Sequence, residues 1–182
     1  MRTSIGTAFL VVGVAAGYVT GLQALSRAGT APAPDGSKWV QQVVNSKDLY
    51  SIYSVGHFRS EGLLPPPRSS QLFSRLSDDD GKSLRGSCSY RVSGAALPAR
   101  WWALSASPVG QPAQGVSATA GDMLLSGDGR LEITLSRRVA SGNWLAIPDA
   151  SNIEVTLALQ EVYDKDKKIT LTLPTLTKVS CE

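Results

Sequence analysis

The chain holds one histidine, His57, and two cysteines, Cys88 and Cys181. A general base needs a nucleophile or a substrate within reach. No G-x-S-x-G elbow accompanies His57, and a lone histidine is more often packed or solvated than catalytic. One His and two Cys leave very little material for a multi-ligand zinc site or a His-based triad. The run Asp78-Asp79-Asp80-Gly81 resembles half of a calcium loop. With Gly81 at the sixth loop position, Leu76 falls at the first and Ser87 at the twelfth, where both residues must be acidic. The run therefore reads as a tight turn, and so does Asp128-Gly129. No catalytic residue, metal ligand or cofactor is assigned.

Trp101-Trp102 is the pair with binding chemistry. Neighbours in a strand point to opposite faces, so one indole fills a core while the other faces outward. An outward indole stacks on a sugar or another flat ligand, or anchors a protein contact. Cover by a helical patch of the same chain is the competing reading. Trp101 and Trp102 are thus the candidate ligand- or partner-binding residues, and Trp144 reads as closing one end of the core.

These residues sit in a chain of 182 residues that is 42% hydrophobic and 18% charged. That composition excludes wholesale disorder and leaves room for one ordinary domain plus an appendage. A net charge of +3, with no Lys/Arg run longer than two, is too weak for a dedicated nucleic-acid binder.

The appendage is N-terminal. No residue between Arg2 and Arg27 is charged. Ile5–Leu25 spans about 32 Å as a helix, close to the ~30 Å hydrocarbon core. The apolar run is longer than a cleavable signal requires, and the nearby Ala31-Pro32-Ala33 is followed by Pro34. The expected organisation is a tail over 1–4, a signal anchor over 5–25, a linker over 26–38 and a domain over 39–182. Basic residues flank both ends of the span almost equally, so their count does not orient it. A short tail before a folded domain suits translocation of the domain. Gly13, Gly17 and Gly21 recur every four residues and form a stripe that lets a second helix approach, the candidate helix–helix packing face.

Trp39, Val40, Val43 and Val44 follow helical spacing, and Asp48 caps a second short helix carrying Leu49, Ile52 and Tyr53. Leu63–Arg68, with three prolines, is a stiff extended connector. From Ser69 onward the chain reads as strands around Leu72–Leu76, Ser87–Ser93, Trp101–Ser107, Met123–Leu125, Arg130–Leu135, Asn143–Ile147, Ile153–Val162 and Ile169–Leu173. Their spacing and Gly/Asp/Pro turns predict a mainly β fold: an antiparallel sandwich or jelly-roll-like domain with a short helical segment packed on it, preceded by one transmembrane helix.

Asp80-Gly81, Leu84, Gly86, Cys88 and Tyr90, then Leu97–Leu104 with its Trp pair, then Asp128-Gly129 and Gly142-Asn143-Trp144-Leu145, resemble in that order the bacterial family called domain of unknown function 1214. The chain is most similar to its short, single-pass membrane-anchored or secreted members, which share a Trp after the linker and a Leu-Pro…Cys ending, here Trp39, Leu173-Pro174 and Cys181. The resemblance implies a β-sandwich, bacterial origin and an exported domain, and implies no activity. Ser105–Pro108 stands where the family continues with Tyr-Asp. A plain stretch near Ser117–Ala120 replaces its Asn-Arg-Tyr segment.

Together these readings predict a protein of the bacterial inner membrane, crossing once, with its C-terminal domain in the periplasm. The expected role is an interaction or accessory subunit of a membrane complex, reaching a protein partner through the transmembrane helix or a sandwich face. A carbohydrate or small-ligand module using Trp101 or Trp102 is the alternative, and a hydrolase the weakest reading. An exported domain favours a disulfide between Cys88 and Cys181. The competing state is two buried free thiols in a cytoplasmic domain.

Overall fold

The computed structural model describes residues 2–27, 30–42, 70–162 and 171–181, with the side chains of the N-terminal helix described over 9–21. That helix, α1, runs Arg2–Arg27. The strands are β1 Thr30–Pro32, β2 Val40–Gln42, β3 Ser70–Arg75, β4 Cys88–Ala95, β5 Ala99–Pro108, β6 Val116–Thr119, β7 Arg130–Ser136, β8 Trp144–Ala146, β9 Ile153–Val162 and β10 Thr175–Cys181. A six-stranded sheet has the order β1-β2-β3-β9-β5-β6 and is antiparallel throughout. A four-stranded sheet has the order β10-β4-β7-β8, its last pair parallel.

Alternation along the strands builds the core. In β9, Ile153, Val155, Leu157 and Leu159 are buried while Glu154, Thr156 and Ala158 between them are not. Trp102, Leu104 and Ala106 of β5 and Phe73 of β3 meet Tyr90 and Val92 of β4 and Ile133 and Leu135 of β7 in one cluster. The two sheets thus share a single core, as the mainly β pattern predicts. The Gly86 N–H donates to Ala150 O at 2.8 Å, and a Cβ there would run into the Pro148 carbonyl oxygen. Only glycine allows that approach.

Four expectations for local structure change. The helical stripe beginning at Trp39 is instead a strand over Val40–Gln42, paired on both sides. Residues 43–50 and the second short helix around Asp48 lie outside the described residues. Strand geometry wins because Trp39 is 1% exposed while Val40 faces outward, a period of two, and because Ala33 donates to Trp39 O at 3.1 Å to close a β1–β2 hairpin. The linker over 26–38 is correspondingly shorter, since Thr30–Pro32 already belongs to the sheet. Asp35 fixes the turn by accepting from Ser37 N–H at 3.0 Å and Leu173 N–H at 2.7 Å. Burial would raise its pKa, but these hydrogen bonds outweigh burial and hold the carboxyl below its usual range.

The Asp128-Gly129 turn exists, with Gly129 at φ 75, but Met123–Leu125 is not a strand. The Asn143 side chain takes both main-chain groups of Leu124, at 2.9 and 2.7 Å. The last strand is Thr175–Cys181 rather than Ile169–Leu173, of which 169–170 lie outside the described residues. Leu171 and Leu173 are buried, but Pro174 has no N–H for a ladder. Its carbonyl instead accepts the Trp39 indole N–H at 2.8 Å.

Arg75 knits these pieces together. It is 2% exposed. Its guanidinium donates to Ser77 O and to Asp79 Oδ1, each at 2.5 Å, and lies 5.8 Å from the centre of the Trp39 ring. Asp79 also accepts the Leu176 N–H at 2.9 Å and, through its carbonyl, the Lys38 ammonium at 2.6 Å. Removing one partner of a buried ion pair costs about 3–5 kcal/mol. Asp79→Ala is therefore expected to lose about 3 kcal/mol in urea unfolding, with Arg75→Met added to it restoring part of the loss. A loss within about 0.5 kcal/mol of zero would refute this role.

Tyr90 offers a second check. Burial pushes its phenol above the ordinary value of 10.0, against the Arg85 N–H that donates to it at 2.8 Å. A raised folded pKa gives stability that is complete below the unfolded value and lost as pH climbs through the folded one. Alkaline titration of tyrosine absorbance should show a late component that Tyr90→Phe removes. Ionisation of all five tyrosines in one early step would contradict it.

Candidate functional site

The sequence places binding chemistry at Trp101-Trp102, and the β5 pleat separates the two. Trp102 is 7% exposed in the core and cannot meet a ligand, whereas Trp101 is 38% exposed on the outer face of the six-stranded sheet. Trp101 stands opposite Gln160 of β9. Beside it, Arg100 pairs with Glu161 at 3.1 Å, and Glu161 adopts φ 50. A left-handed residue other than glycine is strained, and such positions concentrate where a surface is shaped for use.

Two shallow clefts lie on the other sheet. One of about 270 Å³ is bordered by Ser87–Ser89, Arg137–Ala140 and Val179. The other, of about 480 Å³, is bordered by Arg91, Glu132, Leu124–Ser126 and Ala140–Asn143. They share Thr134 and Ala140. Arg91 and Glu132 pair at 2.9 Å with both side chains more than half exposed, worth ~1 kcal/mol at most. Neither cleft is lined by Trp101 or Trp102, so the concave groove that a sugar site at Trp101 needs is not provided by them.

The Asp78–Gly81 segment is a turn, with Gly81 N–H donating to Asp78 O at 3.0 Å and Gly81 at φ 84. Asp78 accepts the Lys82 N–H at 2.8 Å, and Asp79 is engaged by Arg75 and Leu176. Among the described residues no group of three or more His, Cys, Asp or Glu gathers as a metal site. His57 and Pro65–Pro67 lie outside the described residues.

Gly13, Gly17 and Gly21 lie on α1, and a Cβ added at any of them would meet nothing within 4 Å. Every described side chain of α1, from Phe9 to Gly21, is exposed. Among the described residues no helix is long and apolar enough to cross a membrane.

Features that residue spacing did not reveal gather around Leu124, which is 80% exposed. The Asn143 amide holds its loop, also donating to Glu132 O at 2.9 Å. Asp122 fixes the preceding turn, and the Thr119 N–H and hydroxyl that donate to its carboxylate keep its pKa below the usual value. Hydrogen bonds from one loop to a residue 19 positions on leave no mark in local periodicity. The Gly142-Asn143-Trp144-Leu145 motif was the available signal.

Cys88 at the start of β4 and Cys181 at the end of β10 are direct register partners, with sulfurs at 2.03 Å and Cα atoms 3.9 Å apart. They are at disulfide distance, as the pairing expected from the sequence requires. The bond closes 93 residue steps. A Cys88→Ser/Cys181→Ser variant is expected to lose stability, with ~4–5 kcal/mol as the ceiling set by chain entropy. Hydrogen exchange should speed at the Lys178–Cys181 amides while β9 stays protected. Uniform acceleration across both sheets would show that the bond holds more than the terminus.

The family model described as "Protein of unknown function (DUF1214)" matches residues 69–164. Among solved structures, the VPA0106 protein of Vibrio parahaemolyticus is similar with TM-score 0.56 and 17% identity, over 74% of this chain and 36% of that one. An uncharacterised protein of Burkholderia cenocepacia is similar with TM-score 0.48 and 14% identity, over 89% of this chain and 49% of that one. The chain thus spans less than half the length of either. No curated protein matches. At these identities the first likeness concerns the fold alone.

Proposed function

The chain belongs to the DUF1214 family, which carries no assigned activity, and from its own residues we propose that it is a membrane-anchored accessory protein whose exported β-sandwich binds a protein partner. The observation that carries the reading is α1. Phe9, Leu10, Val11, Val12, Val14, Tyr18 and Val19 are all more than half exposed. A helix that is apolar on every side needs lipid or protein around it. The uncharged interval between Arg2 and Arg27 is long enough for a span of ~20 residues. The Cys88–Cys181 pairing supports an oxidising compartment, here the periplasm. The open Gly13/Gly17/Gly21 face supports close approach of a second helix within the bilayer.

Ligand binding through an outward indole is retained only for Trp101, because Trp102 is buried.

The test is a pair of C-terminal fusions. Alkaline phosphatase joined after Cys181 should be active, and a cytoplasmic reporter at the same place silent. The reverse pattern would place the domain in the cytoplasm and refute the reading. In a membrane two-hybrid assay of the full chain, Gly17→Ile should weaken helix association about five-fold, equivalent to about 1 kcal/mol. An unchanged signal would remove the glycine stripe from the interface.

A further inference from the structure

Among the described residues, Leu124 and Val139 are the most exposed large hydrophobic side chains, at 80% each. Both lie on the outer face of the four-stranded sheet. Alternation sets the floor of that face. Tyr90, Val92, Ile133 and Leu135 turn into the core, so Arg91 of β4 and Glu132 and Thr134 of β7 turn outward. Leu124 and Leu125 border one cleft on this floor, and Val139 and Val179 border the other. The clefts meet at Thr134 and Ala140, so together they form one groove along β4 and β7. From Ser87 to Arg91 the groove follows the chain for about 13 Å, at ~3.3 Å per residue, which suits about four or five residues of an extended segment.

The walls of the groove are held from behind. The Asn143 side chain fixes the Leu124 main chain. The Ser136 hydroxyl donates to Arg138 O at 2.5 Å and accepts the Trp144 indole N–H at 3.1 Å. Little is therefore left to order when the groove is filled. Charge then selects the occupant. Three arginines, Arg91, Arg137 and Arg138, border the groove against one carboxylate, Glu132. Arg91 pairs with Glu132 at 2.9 Å, and Arg137 with Asp149 at 3.1 Å. Exposed pairs of this kind are weak, so an incoming carboxylate exchanges for either acid at small cost. A guanidinium fork takes a carboxylate through two parallel hydrogen bonds.

We infer that this groove receives a short extended segment of a partner protein, rich in both acidic and aliphatic side chains. Its carboxylates meet Arg91, Arg137 and Arg138, and its aliphatic groups lie against Leu124, Leu125 and Val139. The inference rests on the reading of the domain as one that binds a protein partner, and it names the chemistry of that partner. A second copy of the chain would bring the same arginine excess against this one, and like charges repel across an interface. A sugar calls for an aromatic platform, and no aromatic side chain among the described residues borders either cleft. A flat bilayer would leave both clefts unfilled, whereas a peptide's side chains enter them.

The test selects random heptapeptides, displayed on phage, against the immobilised full chain. Recovered sequences should be enriched in Asp and Glu together with Leu, Ile or Val. Binding of the best of them, made as a free peptide, should weaken about five-fold or more in Arg91→Gln/Arg138→Gln. It should weaken by a smaller factor in Leu124→Ser/Val139→Ser, and it should fall as salt rises. All four positions are exposed, so these variants should unfold at the wild-type temperature. Recovery of basic or aromatic peptides, or of none, overturns the inference. So does a best peptide that Trp101→Ala releases and Arg91→Gln/Arg138→Gln does not, which moves the partner to the six-stranded sheet. Cross-linked dimers of the full chain that Leu124→Ser/Val139→Ser abolishes assign the groove to a second copy and likewise overturn it. A failed selection beside an active phosphatase fusion leaves the anchored, exported reading standing. An inactive fusion refutes that reading while the peptide result stands or falls by itself.

Discussion

A guanidinium at 2% exposure, Arg75, is costly unless every donor is met, because moving an ion out of water costs several kcal/mol. The surrounding chain is arranged to meet it. Asp79 supplies the countercharge, Ser77 a carbonyl and Trp39 a ring face. Asp79 can serve only because the Asp78–Gly81 turn brings it back over the sheet edge, where its second oxygen takes the Leu176 N–H. Trp39 can serve only because its indole N–H reaches Pro174 O. The charge thus ties the N-terminal hairpin, the end of β3 and the start of β10 into one closure over the open edge of both sheets.

That closure explains why the segment after the helix is structured. Pro32, Pro34 and Gly36 look like punctuation in a tether. Yet burial of Trp39 and Ala33 and the hydrogen bonds of Asp35 hold the same residues against the domain. The cost of ordering a backbone residue is about 1–2 kcal/mol, and a buried indole with a satisfied N–H offsets it for its neighbours.

Much of the candidate surface could be read before folding, and part could not. Consecutive tryptophans must diverge in a strand, so one exposed indole was implied; which of the two was not. The choice falls to Trp102 as the buried one because Leu104 and Ala106 share its face and meet the core. The cysteine pair was legible from compartment reasoning, and its register partnership came from β10, a strand of mostly exposed residues with weak alternation. The helical spacing of Trp39, Val40, Val43 and Val44 misled because a three-residue strand is too short for its period to outweigh a chance helical match.

By itself the sequence determined the apolar N-terminal helix, the mainly β architecture, the turns at Asp78–Gly81 and Asp128-Gly129, and the family. Each follows from local chemistry: an uncharged run, alternating side chains, and Asp and Gly in tight turns. Only the tertiary structure decided that Thr30–Pro32 of the linker is a strand, that Arg75 is a core residue, that β8 runs parallel to β7, and that Asn143 holds the Leu124 loop. These depend on partners far apart in the chain, Trp39 with Pro174 over 135 residues and Asp79 with Leu176 over 97. Local periodicity carries no information about a hydrogen bond whose acceptor is set by the closure of the whole fold.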